Sequence, residues 1–347
     1  MKKIAIGIDF SKKTFDATIK RRVDNDFIEL AYGKFDNDEK GFKAFLAWVR
    51  KTVRPFPEGK GRSSWIFCGE NTGVCSAALS DFLAVKGYDM WLESALQIRQ
   101  SSGILRTKTD KADSRRIADY ALRHFNGKAR LHEPDTKDYR KLRALFAMHN
   151  MLTQDKVSKN NQIKSGILDG SSEALRIAVA QLETIEERLK EVDRLLEALM
   201  KESDEFRDNF SIIVSVKGVG LVTACCKILK THNLKYMDDP RVFGNFAGVV
   251  PSEVEQSGTS VNGRRKVSRA RDRETNAALS MAVNSALTCN PVIREYFDRL
   301  VARGVHVKKA RNNCKFKIVN IIMAMLRTRT KFDEKKYGKA KSQWKTA

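Results

Sequence analysis

Four acidic residues stand where metal-dependent phosphoryl chemistry needs them. Asp9 closes the apolar run Ile4-Ala5-Ile6-Gly7-Ile8, and a carboxylate inside such a run has to be paired, hydrated or metal-bound. Glu70 holds the equivalent place after Trp65-Ile66-Phe67-Cys68. Asp110 and Asp113 are spaced to share one face of a predicted helix. Singly, each has a plain reading: a turn-capping aspartate for Asp9, and a helix N-terminus, where acids suit the dipole, for Asp110 and Asp113. Together they are the kind of carboxylate cluster that a pair of Mg²⁺ (or Mn²⁺) ions requires, because adjacent like charges are costly without cations. Arg106, Lys108, Lys111, Arg115 and Arg116 flank the aspartate pair. They can balance it or grip backbone phosphates.

A second set lies far along the chain. Ser257 precedes Gly258 in a polar stretch, 256–263, with Arg264, Arg265, Lys266, Arg269 and Arg271 just beyond. A serine so placed can attack a phosphodiester if the developing charge is stabilised; on residue type alone Ser252 and Ser260 are equal candidates and all three could simply form turns. Lys308, Lys309, Arg311, Lys315 and Lys317 make a further basic face. Lys217-Gly218-Val219-Gly220 precedes an apolar helix. A G-x-G turn of this type is the core of a helix-hairpin-helix, whose glycines let backbone N–H groups approach a phosphate.

The elements that must carry these groups follow from periodicity. Strands are predicted at 4–10, 14–21, 27–35, 64–69 and 90–92, with helices at 41–49, 74–86 and 109–123. That order, three strands, helix, strand, helix, strand, helix, is the order of a ribonuclease-H-like α/β fold. Residues 135–205 read as helical. Within them Leu175, Ala178, Leu182, Ile185, Leu189, Val192, Leu196 and Leu199 alternate steps of three and four without a slip. The expectation is a coiled coil that also mediates dimerisation; one arm of an intramolecular hairpin is the simpler alternative. Helices are expected near 275–286 and 310–327. The predicted domains are 1–134, a metal-binding α/β domain; 135–208, a coiled-coil linker; 209–330, a mainly helical domain with the serine; and 331–347, a basic tail with little reason to be ordered.

Composition sets the outer bounds. The chain of 347 residues is 42% hydrophobic, globular rather than disordered. Lys and Arg number 65 against 42 Asp and Glu, a net charge of +23 that favours polyanionic partners. The longest apolar run, 318–326, is too short to span a bilayer, and the N-terminus lacks the apolar segment of a signal peptide. The six cysteines form no C-x-x-C pair, which argues against structural zinc and for a reducing, intracellular setting.

Three stretches carry a specific resemblance. Gly7-Ile8-Asp9-Phe10-Ser11-Lys12, Glu70-Asn71-Thr72-Gly73 and Lys108-Thr109-Asp110-Lys111-Ala112-Asp113-Ser114-Arg115 are similar to the acidic motifs of the DEDD transposases. This is the insertion-sequence-110 family, related to the Piv DNA invertases. Phe246-Ala247-Gly248-Val249-Val250-Pro251, followed by Gln256-Ser257-Gly258, resembles that family's C-terminal motif. The resemblance implies a RuvC-like first domain in which Asp9, Glu70, Asp110 and Asp113 bind divalent metal, and a second domain that supplies Ser257 as nucleophile. It further implies a structured bridge RNA that pairs with donor and target duplex DNA. An oligomer would follow, a dimer through the coiled coil and a tetramer on DNA, in bacterial or archaeal cytoplasm at the nucleoid. Two other classes compete: a RuvC-like nuclease or junction resolvase that uses water, and a non-catalytic nucleic-acid-binding protein with a decayed site.

Overall fold

A strand buried on both faces needs an unbroken apolar run, and residues 4–8 supply one at the start of β1 (Ile4–Phe10). The computed structural model describes residues 2–101, 109–127, 129–251, 267 and 271–338. The chain divides into two compact units, Met1–Asp135 and Thr136–Ala347.

In the first unit, β1 is followed by β2 (Thr14–Val23), β3 (Asp26–Asp36), α1 (Glu39–Val53), β4 (Trp65–Glu70), α2 (Val74–Val85), β5 (Met90–Glu93), α3 (Ala95–Ser101) and α4 (Asp110–His124). The five strands form one sheet in the order β3-β2-β1-β4-β5. β1 runs antiparallel to β2, and β2 to β3; β1 is parallel to β4, and β4 to β5. This mixed sheet and helix order are consistent with a ribonuclease-H-like domain. The expected order of elements is found, with α3 in addition.

Strand alternation sends side chains to two opposed cores. Ile4, Ile6, Ile8, Phe15 and Ile19 meet Phe42, Phe45 and Val49 of α1 and Leu79 and Leu83 of α2. On the other face Ala5, Ile66, Cys68 and Trp91 meet Ile117, Ala118 and Ala121 of α4. Gly7 sets how closely α4 sits: a Cβ there would lie 2.2 Å from Ser114 O and 2.3 Å from Ala118 N. Thr18 and Ser114 hydroxyls bond at 2.7 Å, and Lys20 pairs with Asp119 at 2.7 Å, holding the same helix across β2. With Ser114 over Gly7, the residues one turn earlier on α4 lie toward the Asp9 end of β1.

The second unit is helical in its described residues: α5 (Lys137–Lys164), α6 (Ser172–Glu202), α7 (Arg207–Val214), α8 (Leu221–Thr231), α9 (Pro240–Phe246), α10 (Arg273–Cys289), α11 (Pro291–Ala302), α12 (Val307–Thr328) and α13 (Glu334–Gly338). The heptad seam belongs to α6, which packs along α5 of the same chain. Lys156 of α5 pairs with Glu186 of α6 at 2.8 Å. Every seam residue from Leu175 to Leu199 is buried or half-buried, as an intrachain hairpin requires. The apolar run 318–326 lies in α12, where Ile318, Ile321, Ile322 and Met325 enter the core. Among the described residues no helix is long and apolar enough to cross a membrane. The expected loose tail from 331 does not hold for its first part: α13 forms there, and Phe332 and Tyr337 stack on one another against the core.

Candidate carboxylate active site

Strand register decides which acids meet. Asp9 pairs with Asp16 across β1 and β2, and Asp16 with Lys34 across β2 and β3. Ile8 is aligned with Gly69, so the next residues, Asp9 and Glu70, come level. Glu70 in turn pairs with Glu93. A row therefore crosses the end of the sheet: Lys34, Asp16, Asp9, Glu70, Glu93. Alternation puts it on the α4 face, shared with Ala5, Ile66, Cys68 and Trp91. Above it begins α4, capped by Thr109, whose hydroxyl accepts from Ala112 N at 3.2 Å, with Asp110 and Asp113 in the first turn.

The electrostatics follow from this crowding. Burial, then the charges of Glu70, Asp110 and Asp16, push the Asp9 carboxyl up to about 6, against a weaker lowering by Arg116. The Asp113 carboxylate is ion-paired with Arg116 one turn on. The structure thus brings Asp9, Glu70 and Asp110 into one field and leaves Asp113 engaged at its side. The donor set suits divalent cations: hard carboxylate oxygens whose mutual repulsion a cation would relieve. As placed, among the described residues, no three acidic, histidine or cysteine side chains stand close enough to chelate one ion.

Asp16 and Glu93 are additions that sequence reasoning missed. Asp16 is buried, accepts from the Tyr32 hydroxyl and lies 3.5 Å from Lys34 Nζ. That bond, burial and the nearby acids push the Tyr32 phenol up to about 12. Glu93 accepts from Ser94 N at 2.7 Å and from the Tyr120 hydroxyl at 3.2 Å. The signal for Asp16 was present: Asp9 and Asp16 are symmetric about the short turn between Phe10 and Phe15, so a tight hairpin has to set them side by side.

The basic residues near the acids divide. Lys111 is exposed, its Nζ 4.7 Å from the centre of the Tyr32 ring. Arg115 pairs with Glu29 at 2.6 Å, and Arg116 with Asp113. Arg106 and Lys108 lie outside the described residues. So do Ser257, Arg264, Arg265, Lys266 and Arg269. What is described is where that stretch leaves and returns. Asp272 N donates to Phe246 O at 2.8 Å. Asn276 donates to Ala247 O and Asn312 to Val249 O, each at 2.8 Å. Asp272 also caps α10 by accepting from Thr275 N at 2.8 Å. Arg271 is exposed and lies against Gly248. Lys308 and Lys309 are exposed, and Arg311 donates to Asn284 at 3.1 Å. Lys217 pairs with Glu334 at 2.7 Å. Gly218, at φ +94°, faces α10, where a Cβ would be 2.5 Å from the Ala286 backbone, whereas Gly220 has open space around it.

A ribonuclease-H-like sheet with carboxylates along one end, in a chain of net charge +23, is the build of a nucleic-acid phosphoryl-transfer enzyme. Known proteins narrow this. Residues 6–172 match the DEDD transposase model of IS110 elements, and residues 211–298 match the transposase IS116/IS110/IS902 family. Pilin gene-inverting proteins of Moraxella bovis and Moraxella lacunata are each 24% identical over 344 residues, 96% of this chain and 99% of theirs. An IS110 uncharacterized 43.6 kDa protein of Streptomyces coelicolor is 26% identical over 161 residues, 46% of this chain and 39% of its own length. The chain belongs to the IS110 family of transposases. It is a DNA recombinase, and the DEDD domain points to dependence on a divalent metal.

Proposed function

We propose that this transposase cuts and rejoins DNA with Asp9, Glu70, Asp110 and Asp113 as its metal-binding set and Ser257 as its nucleophile. One observation carries the first half: the sheet register and α4 gather Glu70, Asp110 and Asp16 around a half-buried Asp9, and burial together with their charges raises its carboxyl to about 6. Bound Mg²⁺ or Mn²⁺ would supply Lewis-acid stabilisation of phosphate charge at those four residues. Ser257 Oγ attacks the phosphorus, losing its proton. A phosphoserine ester forms as one P–O bond to deoxyribose breaks, and the departing oxygen takes up a proton. The number of phosphoesters is unchanged, so joining can run the step in reverse. Arg106, Lys108, Lys111, Arg115, Arg116, Lys217, Gly218, Gly220, Arg264, Arg265, Lys266, Arg269, Arg271, Lys308, Lys309 and Arg311 serve nucleic-acid phosphates, giving affinity and salt dependence without sequence reading.

Sequence choice falls to a structured RNA paired with donor and target DNA, a reading supported by the family resemblance and the net charge. The α5–α6 hairpin serves dimerisation as well. Ile177, Val179 and Leu195 on α6 remain exposed beside the seam, apolar surface that a second copy could cover. The same IS110 enzyme would act as a tetramer on DNA. The domain scheme 1–134, 135–208, 209–330 and 331–347 belongs to this proposal.

The test is recombination of a supercoiled donor and target in the presence of Mg²⁺ and copurified RNA. Asp9→Ala and Ser257→Ala each abolish the product, and a protein–DNA adduct is trapped with wild type and absent from Ser257→Ala. Recombination by Ser257→Ala would remove the serine from the mechanism, whereas free cut ends that never rejoin would favour a water-using nuclease.

A further inference from the structure

We infer that Arg271 and Lys315 form a clamp for one phosphate of duplex DNA, braced from behind by Asn276. Lys315 lies midway along α12 and is half-buried, and its Nζ donates to Asn276 Oδ1 at 3.0 Å. The other end of the same amide donates to Ala247 O at 2.8 Å and to Gly248 O at 3.4 Å. Gly248, at φ +66°, carries the aliphatic part of Arg271 directly on it: a Cβ there would sit 2.3 Å from Arg271 Cδ. Arg271, Gly248, Asn276 and Lys315 are therefore one contiguous contact chain.

The charge balance of that cluster is open. Burial and the neighbouring Arg271 charge both lower the Lys315 amine from its ordinary value. Like charges held together in a partly buried site raise each other's energy until an anion arrives. The acids nearest in sequence are committed elsewhere: Asp272 and Glu274 both pair with Lys230, at 3.0 and 2.7 Å. Among the described residues no carboxylate pairs with Arg271 or Lys315. A guanidinium beside an ammonium suits the non-bridging oxygens of a phosphodiester. Duplex DNA is the source because the chain is a DNA recombinase.

The location gives the clamp its role. Arg271 sits where the chain returns into α10, and Asn276 and Asn312 hold the backbone at 247–249 where it departs. Lys315 and Arg271 would fix a phosphate against this junction. That positioning role rests on the proposed serine chemistry, but the binding itself does not.

Binding is measured by titrating a random-sequence duplex over a salt series with wild type, Lys315→Gln, Arg271→Gln, Lys315→Arg and Ser257→Ala. Each Gln variant should bind roughly tenfold more weakly at ~0.1 M salt, with the log–log salt slope reduced by about 1. Lys315→Arg should recover most of the affinity. At saturating DNA the Gln variants should also form the protein–DNA adduct more slowly. Ser257→Ala should bind with the wild-type slope, so loss of the serine reading would show in recombination and leave the clamp standing. Unchanged affinity and slope in both Gln variants would overturn the clamp. So would a Lys315→Arg as weak as Lys315→Gln, which would make Lys315 a brace for Asn276 alone. An effect seen only with RNA in place of the duplex would overturn the DNA assignment.

Discussion

Replacing Lys227 with methionine should make the protein more stable, and the gain should depend on pH in a definite direction. Lys227 lies on α8 with 5% of its surface exposed, and its Nζ has no hydrogen-bond partner. The amine sits 3.3 Å from the centre of the Phe243 ring, beside a cavity of about 10 Å³ lined by Thr223, Ala278, Leu279, Val319 and Ile322. A cation over an aromatic face gains about 0.5–2 kcal/mol. Removing an ammonium from water costs several. Burial wins, and the amine is driven well below its ordinary 10.5. A neutral, unbonded amine still costs roughly 1–3 kcal/mol to bury. Methionine has nearly the same length and no such cost, so Lys227→Met should gain about 1–3 kcal/mol near pH 10.5 and more at lower pH, where wild type must also give up a proton to fold, with roughly 2–4 °C in Tm per kcal/mol for a unit of this size.

The sign of the pH effect follows from proton linkage. Between the depressed folded value and 10.5 the unfolded chain holds a proton that the folded chain rejects, so wild-type stability rises with pH across that window. The advantage of Lys227→Met should therefore be largest near neutrality and shrink as pH approaches 10.5. Cys226, the other titratable group lining the cavity, is pushed up to about 11 by burial and stays neutral over most of that range. Urea denaturation followed by circular dichroism at two or three pH values reads both quantities. A variant less stable than wild type, or a gain constant with pH, would refute the burial argument.

Three further outcomes are expected. In metal-free protein, Asp9→Asn should stabilise the fold above pH 6 by about 1–2 kcal/mol after allowance for solvent screening. Because the folded carboxyl is raised from 3.8 to about 6, that gain should vanish below pH 4; denaturation at pH 4 and pH 8 checks it. Gly7→Ala should cost about 3 kcal/mol or more, since the new methyl meets the backbone of α4 at 2.2–2.3 Å, and should abolish metal-dependent cleavage along with it. Tyr32→Phe should cost about 1.5–3 kcal/mol by removing the hydroxyl that bonds Asp16, measurable by thermal denaturation; no loss would mean that Lys34 or water satisfies Asp16 equally well.

Much of the first unit was legible in the sequence because local rules suffice there. Unbroken apolar runs announced β1 and β4, and their terminal acids, Asp9 and Glu70, were conspicuous against them. Thr109 before an acidic first turn announced the start of α4. Each of these signals lies within one element, where spacing alone carries the meaning. The α6 seam shows the limit: period 3.5 declares that a partner helix exists, and the apolar stripe is the same whether that partner is α5 or another chain. Likewise Phe332 and Tyr337 read as part of a basic tail, because nothing local reveals a core waiting to receive them.

By itself the sequence determined which residues alternate toward a common face and which acids close buried strands. Only the tertiary structure decided that Glu93 extends the row through Asp9 and Glu70, that Arg116 engages Asp113, and that Lys227 is sealed under Phe243. Periodicity constrains the direction of a side chain. What lies opposite it depends on pairings between residues far apart in the chain, and those are chosen by the packing of the whole sheet and helix set at once.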